Sequence, residues 1–141
     1  MSTNYYLVYR EAVNARESIS DPDVRETIDI RMTHIGKRSR RWTWHSITDN
    51  DYDDAVSIGA VDSVSQWREV LLNLPDNLMV LDEYDREVDP AELLDEWDNQ
   101  IPYRDMDDLF DAWNVGVNSR SDLPGQFLDD EGYLLVRGKW F

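Results

Sequence analysis

Residues 27–47 read TIDIRMTHIGKRSRRWTWHSI, and this stretch decides the fold class that the sequence predicts. Over 27–34 apolar and polar residues alternate, which is the period of a strand with one solvated face. The alternation resumes after a basic, glycine-containing turn over 34–40, where Trp42 and Trp44 share one face of a second strand. We therefore expect a β-hairpin with a basic tip.

The elements on either side of this hairpin mix strands with helices. Upstream, the sequence YYLVYR over 5–10 predicts a first strand, and the polar, aperiodic stretch 14–27 predicts a loop. Downstream, N-capping residues precede three amphipathic segments. These downstream elements are a helix beginning at Asp62 or Ser63, a buried strand over 78–81, helices beginning at Asp89 and near Asp105, and a terminal hairpin around Gly132. The order predicts one α+β domain over residues 1–141, with a small mixed, mostly antiparallel sheet and about three short helices.

Composition excludes several classes of protein. A chain of 141 residues with 41% hydrophobic and 11% aromatic residues suits one folded domain rather than a disordered segment. The absence of cysteine excludes disulfides, thiolate zinc sites and cysteine nucleophiles. The sequence contains no apolar stretch of membrane-spanning length, and its first residues lack the apolar core of a signal peptide. We therefore expect a cytoplasmic protein that uses no metal or other cofactor and does not engage membranes.

The net charge of −16 is unevenly distributed along the chain. Residues 1–45 carry eight basic and six acidic side chains, net +2, whereas residues 46–141 carry six basic and twenty-four acidic side chains, net −18. An acidic surface of this kind repels nucleic-acid backbones and lipid headgroups, and it attracts basic partners. The distribution therefore predicts either binding to a basic protein or imitation of DNA.

Two stretches carry motifs that occur together in one known family. They are HIGK at 34–37 with Ser39, Trp42 and Trp44 after it, and VLDEYD at 80–85 followed by VDPAELL at 88–94. In these motifs the chain resembles an uncharacterised family of small bacteriophage and prophage proteins, which carry a "HIGKSSxGWxF" hairpin and a "DEYGxxVxPxE" segment. The resemblance implies a viral origin and a fold, with no established activity. Many members also carry a Cys-x-x-Cys pair after the first strand, which this chain lacks.

The basic hairpin is the first candidate site. Gly36 permits a positive φ that would let backbone N–H groups converge on an anion, and the basic side chains around it add cationic donors. A tryptophan beside them would offer a stacking surface for a base. The candidate anion- or nucleotide-binding residues are His34, Gly36, Lys37, Arg38, Ser39, Arg40, Arg41, Trp42 and Trp44. The simpler interpretation is a turn glycine, a solvated basic tip that pairs with the acidic body, and two core tryptophans.

His34 and His45 lie on neighbouring predicted strands, where their rings could face each other. Imidazole groups titrate near neutral pH, which suits general acid–base catalysis. A histidine in a strand is more often packed or exposed without a catalytic role. We therefore assign no catalytic residue, and we keep hydrolysis at this pair as an extension of the nucleotide-binding alternative.

Carboxylates on the second and third predicted helices form the other candidate site. Regularly spaced carboxylates on helices are the means by which DNA mimics imitate phosphates, and they also keep ordinary acidic proteins soluble. The candidate partner-binding residues are Asp95, Glu96, Asp98, Asp107, Asp108 and Asp111.

These patterns favour a non-enzymatic viral accessory protein, from a phage or an archaeal virus. It would bind a host protein in the host-cell cytoplasm through its acidic surface, in an anti-defence or DNA-mimic role. One alternative is nucleotide or nucleic-acid binding by the basic 34–41 hairpin with Trp42 and Trp44. A second alternative is a virion or assembly component. The sequence leaves the oligomeric state open, with a homodimer among the options.

The choice of charged residues predicts how the protein responds to salt. Asp outnumbers Glu by 21 to 9 and Arg outnumbers Lys by 12 to 2, which is typical of proteins from high-salt hosts and also of GC-rich genomes. For a high-salt host we expect the melting temperature to rise between low and molar NaCl, because salt screens the self-repulsion of the acidic surface. Thermal unfolding followed by tryptophan fluorescence measures this. A melting temperature independent of salt would contradict the high-salt interpretation.

Overall fold

The strands of the computed structural model form one seven-stranded sheet. The structure describes residues 3–28, 30–38, 42–47, 56, 58–98, 100–114 and 126–137, and for 96–98 it describes the backbone alone. Within these ranges the strands are β1 (Thr3–Tyr9), β2 (Met32–Arg38), β3 (Trp42–His45), β4 (Leu78–Asp82), β5 (Glu87–Val88), β6 (Gln126–Leu128) and β7 (Leu134–Val136). Their order across the sheet is β5-β4-β1-β2-β3-β7-β6, and the β3–β7 pair is parallel while the other pairs are antiparallel.

Five helices accompany the sheet in the described part of the chain. They are α1 (Arg10–Glu17), α2 (Pro22–Glu26), α3 (Val64–Leu72), α4 (Pro90–Asp98) and α5 (Met106–Ala112). The predicted α+β class with a mostly antiparallel sheet is therefore confirmed, whereas the prediction of about three helices is wrong. None of the helices in the described ranges is long and apolar enough to cross a membrane.

The two unpredicted helices, α1 and α2, contradict the loop expected over 14–27. Neither helix contains a buried residue, so neither needs the apolar stripe from which an amphipathic helix is recognised. A capping signal was present for α2, because the side chain of Asp21 accepts a hydrogen bond from the backbone N–H of Asp23 and Pro22 occupies the first helical position.

The three predicted helix starts are confirmed. Ser63 caps α3 by accepting from the N–H of Gln66, and Asp105 caps α5 by accepting from the N–H of Asp108. At the start of α4, the side chain of Asp89 accepts from the N–H of Ala91, 3.0 Å away. The local capping chemistry of these polar side chains therefore determines where the helices begin.

The hairpin of β2 and β3 exists, but β2 does not span the residues that alternation predicted. Pairing with β1 continues from Val8 opposite Met32 to Thr3 opposite Arg38, so Lys37 and Arg38, expected in the turn, lie within the strand. Ile28, assigned to the strand by alternation, lies outside β2 and is exposed. The connection between the two strands falls at 39–41, outside the described residues.

Each face of the sheet carries its own apolar cluster, because successive side chains of a strand point to opposite faces. On one face Tyr5 and Leu7 of β1 belong to the main core, which includes Trp67 and the other inward residues of α3 and α4. On the opposite face Val8 of β1 packs with Met79 and other apolar residues of a smaller cluster. We call these the main-core face and the second face.

The segment between α4 and α5 is joined to the sheet and to the terminal hairpin. The side chain of Gln100 accepts from the indole N–H of Trp44 at 3.0 Å and donates to the carbonyl oxygen of Trp42 at 3.4 Å. Further along, the N–H of Tyr103 donates to the carbonyl oxygen of Gly132 at 2.8 Å. Gly132 has φ 94°, a conformation that favours glycine, in the β6–β7 turn that the sequence predicted.

Gly36 of β2 is closely packed against residues of β3. A Cβ at this position would lie 2.6 Å from the carbonyl oxygen of Thr43 and 2.6 Å from Cζ2 of Trp42. We therefore expect Gly36→Ala to lower the free energy of unfolding by about 1–3 kcal/mol, since neither the backbone nor a core ring can yield easily. Urea unfolding followed by circular dichroism measures the change.

A double-mutant cycle tests whether the ring of Trp42 causes part of this cost. Trp42→Phe removes the atom that the new methyl group would meet first on the ring. We expect Gly36→Ala to cost less in the Trp42→Phe background than in the wild type. An equal cost in the two backgrounds would contradict the contact with Trp42.

Candidate functional site

Trp42 and Trp44, the predicted stacking surface, are buried in the main core. They are 6% and 0% exposed, and their rings meet edge to face with centroids 5.1 Å apart. The ring of Trp44 also stacks on Trp67 of α3 at 6.3 Å. Of the two interpretations, the stacking surface for a base is therefore wrong, and the pair of core tryptophans is correct. The reason is that β3 lies inside the sheet between β2 and β7, with α3 covering its apolar face.

Gly36 does not form the turn that was expected to bind an anion. Among the described glycines, positive φ angles occur at Gly59 and Gly132, whereas Gly36 is a strand residue paired with Tyr5 and Trp44. Its backbone therefore forms sheet pairs instead of converging N–H groups. The absence of a side chain serves close packing against Trp42, as the short Cβ distances show.

The basic side chains of β2 do not converge on one side of the sheet. Arg38 lies over the rings of Tyr5 and Trp42 on the main-core face, at 5.5 and 6.0 Å from their centroids, and it donates to the hydroxyl of Tyr5 at 3.2 Å. Lys37, one position earlier, belongs to the second face. Ser39, Arg40 and Arg41 lie outside the described residues.

Tyr6, His34 and His45 form a row of stacked rings on the second face, which we call the histidine row. The ring centroids of Tyr6 and His34 are 5.1 Å apart, and those of His34 and His45 are 4.9 Å apart. The two histidines therefore face each other, as their neighbouring strands suggested. The row follows from strand pairing, because Tyr6 lies opposite His34 in the β1–β2 register.

His34 is held in its neutral form within this row. Its pKa is lowered from the ordinary 6.5 to about 4, mainly by burial and in addition by the neighbouring His45 and Lys37. The carbonyl oxygen of Gly36, 3.1 Å from Nε2 of His34, opposes the shift but does not cancel it. A neutral imidazole with one nitrogen directed at a backbone carbonyl suits packing better than proton transfer to a substrate.

The predicted acidic residues fall into three groups. Asp95 on α4 and Asp107 and Asp111 on α5 are exposed. Asp108 is half-buried and accepts from the backbone N–H of Arg104 at 3.1 Å and from its guanidinium at 3.5 Å, which together hold the pKa of this carboxyl below its usual value. The side chains of Glu96 and Asp98 lie outside the described part. Asp108 thus stabilises the start of α5, whereas Asp95, Asp107 and Asp111 are exposed on the surface.

The β4–β5 turn contains a buried carboxylate, Asp82, which was not among the candidate residues predicted from the sequence. Asp82 accepts from the N–H of Tyr84 at 2.8 Å and from the N–H and Nε of Arg86 at 3.0 Å each. Burial alone would raise the pKa of Asp82, but these hydrogen bonds outweigh it and lower the pKa. The motif VLDEYD at 80–85 was the available signal, and the structure gives it a turn-forming role.

Asp85 completes this turn with a φ of 62°, in the left-handed region. In the phage-protein motif described above, glycine occupies the corresponding position, and glycine adopts this conformation without steric cost. Aspartate tolerates it better than most residues. Its carboxylate also lies 3.5 Å from the guanidinium of Arg16, which ties the turn to α1.

No protein-family model matches this chain, and no curated protein or solved structure is detectably similar to it. The resemblance to small phage proteins therefore stays a prediction from the motifs. Among the residues that the structure describes, no group of three or more His, Asp or Glu side chains could hold a metal ion.

The histidine row predicts a pH dependence of stability. The pKa of His34 is about 4 in the folded protein and about 6.5 in the unfolded chain, so as pH falls the unfolded chain takes up the proton first. Neutral His34 therefore makes its full contribution to stability above pH 6.5. Between pH 6.5 and 4 this contribution is lost, and we expect the free energy of unfolding to fall by roughly 2–3 kcal/mol. Urea unfolding across this pH range measures the loss.

His34→Phe is the matched variant, because it keeps an aromatic ring between Tyr6 and His45 but cannot bind a proton. We expect its stability to fall less than that of the wild type between pH 6.5 and 4. The carboxylates titrate in both proteins, so their contribution cancels in the comparison. Parallel pH profiles would contradict the depressed pKa of His34.

Proposed function

We propose that this protein is a non-enzymatic viral accessory protein that binds a basic surface of a host protein. Its binding surface is the part of the chain over 58–114, which we call the acidic part because it contains sixteen acidic and three basic side chains. One observation carries the proposal. The carboxylates of the acidic part are mostly exposed, whereas two of its three cations are bonded to carboxylates four residues away.

The exposed carboxylates come from every helix and turn of the acidic part. They belong to Asp62, Glu69, Asp76, Glu83, Asp85, Glu87, Asp89, Glu92, Asp95, Asp105, Asp107 and Asp111. Arg86 is bonded to Asp82 at 3.0 Å and Arg104 to Asp108 at 3.5 Å. These two cations therefore stabilise local turns, and the outward surface stays negative.

A surface of this charge favours a basic protein as its partner. It repels the phosphates of nucleic acids, and it accelerates encounter with a cationic surface. Asp107 and Asp111 are one helical turn apart on α5, so both carboxylates lie on the same side of the helix. Such spacing supports a DNA-mimic role, in which a host nucleic-acid-handling or defence protein binds this surface in place of DNA.

The other functions expected from the sequence have less support. Nucleotide binding by the 34–41 hairpin loses its stacking surface, because Trp42 and Trp44 are buried. Nucleotides or short oligonucleotides should therefore leave the tryptophan fluorescence unchanged. A virion or assembly role is tested by mass spectrometry of purified particles, and detection of this protein there would favour that role over a host-directed one.

Charge reversal tests the proposed function. The variant Asp95→Lys/Asp107→Lys/Asp111→Lys changes three exposed carboxylates of α4 and α5. We expect it to lose the basic proteins that the wild type retains from host-cell lysate at low salt, since like charges then meet at the interface. Affinity capture followed by mass spectrometry measures the retained proteins.

The matched control reverses the same number of exposed carboxylates elsewhere. Glu11→Lys/Asp23→Lys/Glu26→Lys changes α1 and α2 and raises the net charge by the same amount. We expect this control to keep the partners, and circular dichroism shows that both variants are folded. Retention of every partner by the first variant, or equal losses from the two, would refute the proposed surface.

A further inference from the structure

A groove separates the C-terminal end of α3 from the N-terminal end of α4. Its volume is about 370 Å³. The apolar residues that line it include Leu72, Leu74, Pro75, Pro90, Ala91 and Leu94. Most of its lining residues belong to the acidic part.

The floor of the groove presents apolar surface to solvent. Leu72 is 54% exposed, although the other large apolar residues of α3, such as Trp67 and Leu71, are buried. Leu74 and Leu94 are half-buried and pack against the main core beneath. The lining is therefore supported from below by packed side chains and open above.

The rim of the groove is negative. Asp76 and Asp89 are exposed carboxylates among the lining residues, and Asp89 uses one oxygen to cap α4. Arg10 is the one cation among the lining residues that the structure describes. Its guanidinium is bonded to Glu87 at 3.3 and 3.4 Å and to the carbonyl oxygen of Asp76 at 3.2 Å, so it does not make the rim positive.

The negative charge continues along α4 beyond the rim. Asp95 follows Ala91 by one helical turn, so the two residues lie on the same side of the helix, and Asp95 is exposed. An apolar floor beside a row of carboxylates fits a segment in which an apolar side chain stands next to Lys or Arg. A second copy of this chain fits poorly, because its own net charge is −16.

We propose that this groove docks an apolar side chain of a basic partner segment, with neighbouring Lys or Arg side chains paired to Asp76 and Asp89. The inference rests on the proposed function and specifies the chemistry of the partner. The negative charge attracts any basic segment. The apolar floor adds a preference for basic segments that carry an apolar side chain, because that side chain is buried in the groove.

Two fluorescein-labelled peptides test the groove. The first is a short, helix-forming peptide with Lys residues flanking two Leu residues one turn apart, and the second is identical except that Ser replaces both Leu residues. Fluorescence anisotropy at low ionic strength measures both affinities. We expect the wild type to bind the Leu peptide at least about tenfold more tightly than the Ser peptide, which is the effect of burying one apolar side chain.

Variants of the protein locate the binding site. Leu72→Ser should remove the preference for the Leu peptide, and Asp76→Lys should weaken binding of both peptides. The matched controls are Val24→Ser, at another exposed apolar residue on α2, and Asp130→Lys, in the β6–β7 turn. That turn bonds to the opposite end of α3, where Asp129 accepts from the N–H of Val64, so Asp130 is remote from the groove. We expect both controls to bind like the wild type.

The outcomes separate this inference from the proposed function. Three results would each contradict the proposed docking in the groove. They are equal affinity of the wild type for the two peptides, a preference for the Leu peptide that remains in Leu72→Ser, and equal weakening of binding by Asp76→Lys and Asp130→Lys. In each of these cases the acidic part would still bind basic peptides. If neither peptide binds at low ionic strength, both the proposed docking in the groove and the proposed function are contradicted.

Discussion

Backbone pairing of β1 with β2 on one side and β4 on the other is the constraint on which the rest of the structure depends. A central strand is covered on both faces, and Leu7 and Val8, which point to opposite faces, are both fully buried. The same pairing places His34 opposite Tyr6 and keeps Arg38 within the sheet. The chemistry available to the basic hairpin is therefore determined by strand register more than by its charge.

The charged side chains of the acidic part have two different roles. Arg86 and Arg104 stabilise the β4–β5 turn and the start of α5, where they bond to Asp82 and Asp108. The remaining carboxylates are mostly exposed and give the α3–α5 region a negative surface. The groove between α3 and α4 adds an apolar floor to that surface. Together they favour a partner that combines cations with an apolar anchor.

Sequence reasoning succeeded for features that neighbouring residues determine. The capping side chains of Ser63, Asp89 and Asp105 marked three helix starts correctly, because a cap acts on N–H groups two or three residues away. It failed for α1 and α2, which contain no fully buried residue, and for residues 34–38, whose extended conformation depends on pairing with β1. It left the tryptophan pair open between a stacking surface and the core, because alternation shows which residues share a face but not what covers that face.

The amino-acid sequence by itself determined the α+β class, the helix starts and the uneven charge, because composition, local capping and alternation carry these properties. The tertiary structure alone decided that the rings of Trp42 and Trp44 are buried, that the histidines stack, and that Gly36 serves packing instead of anion binding. It also formed the groove from two helices that are separate in the chain. The physical reason is that burial and pairing depend on residues distant in sequence, which no local pattern encodes.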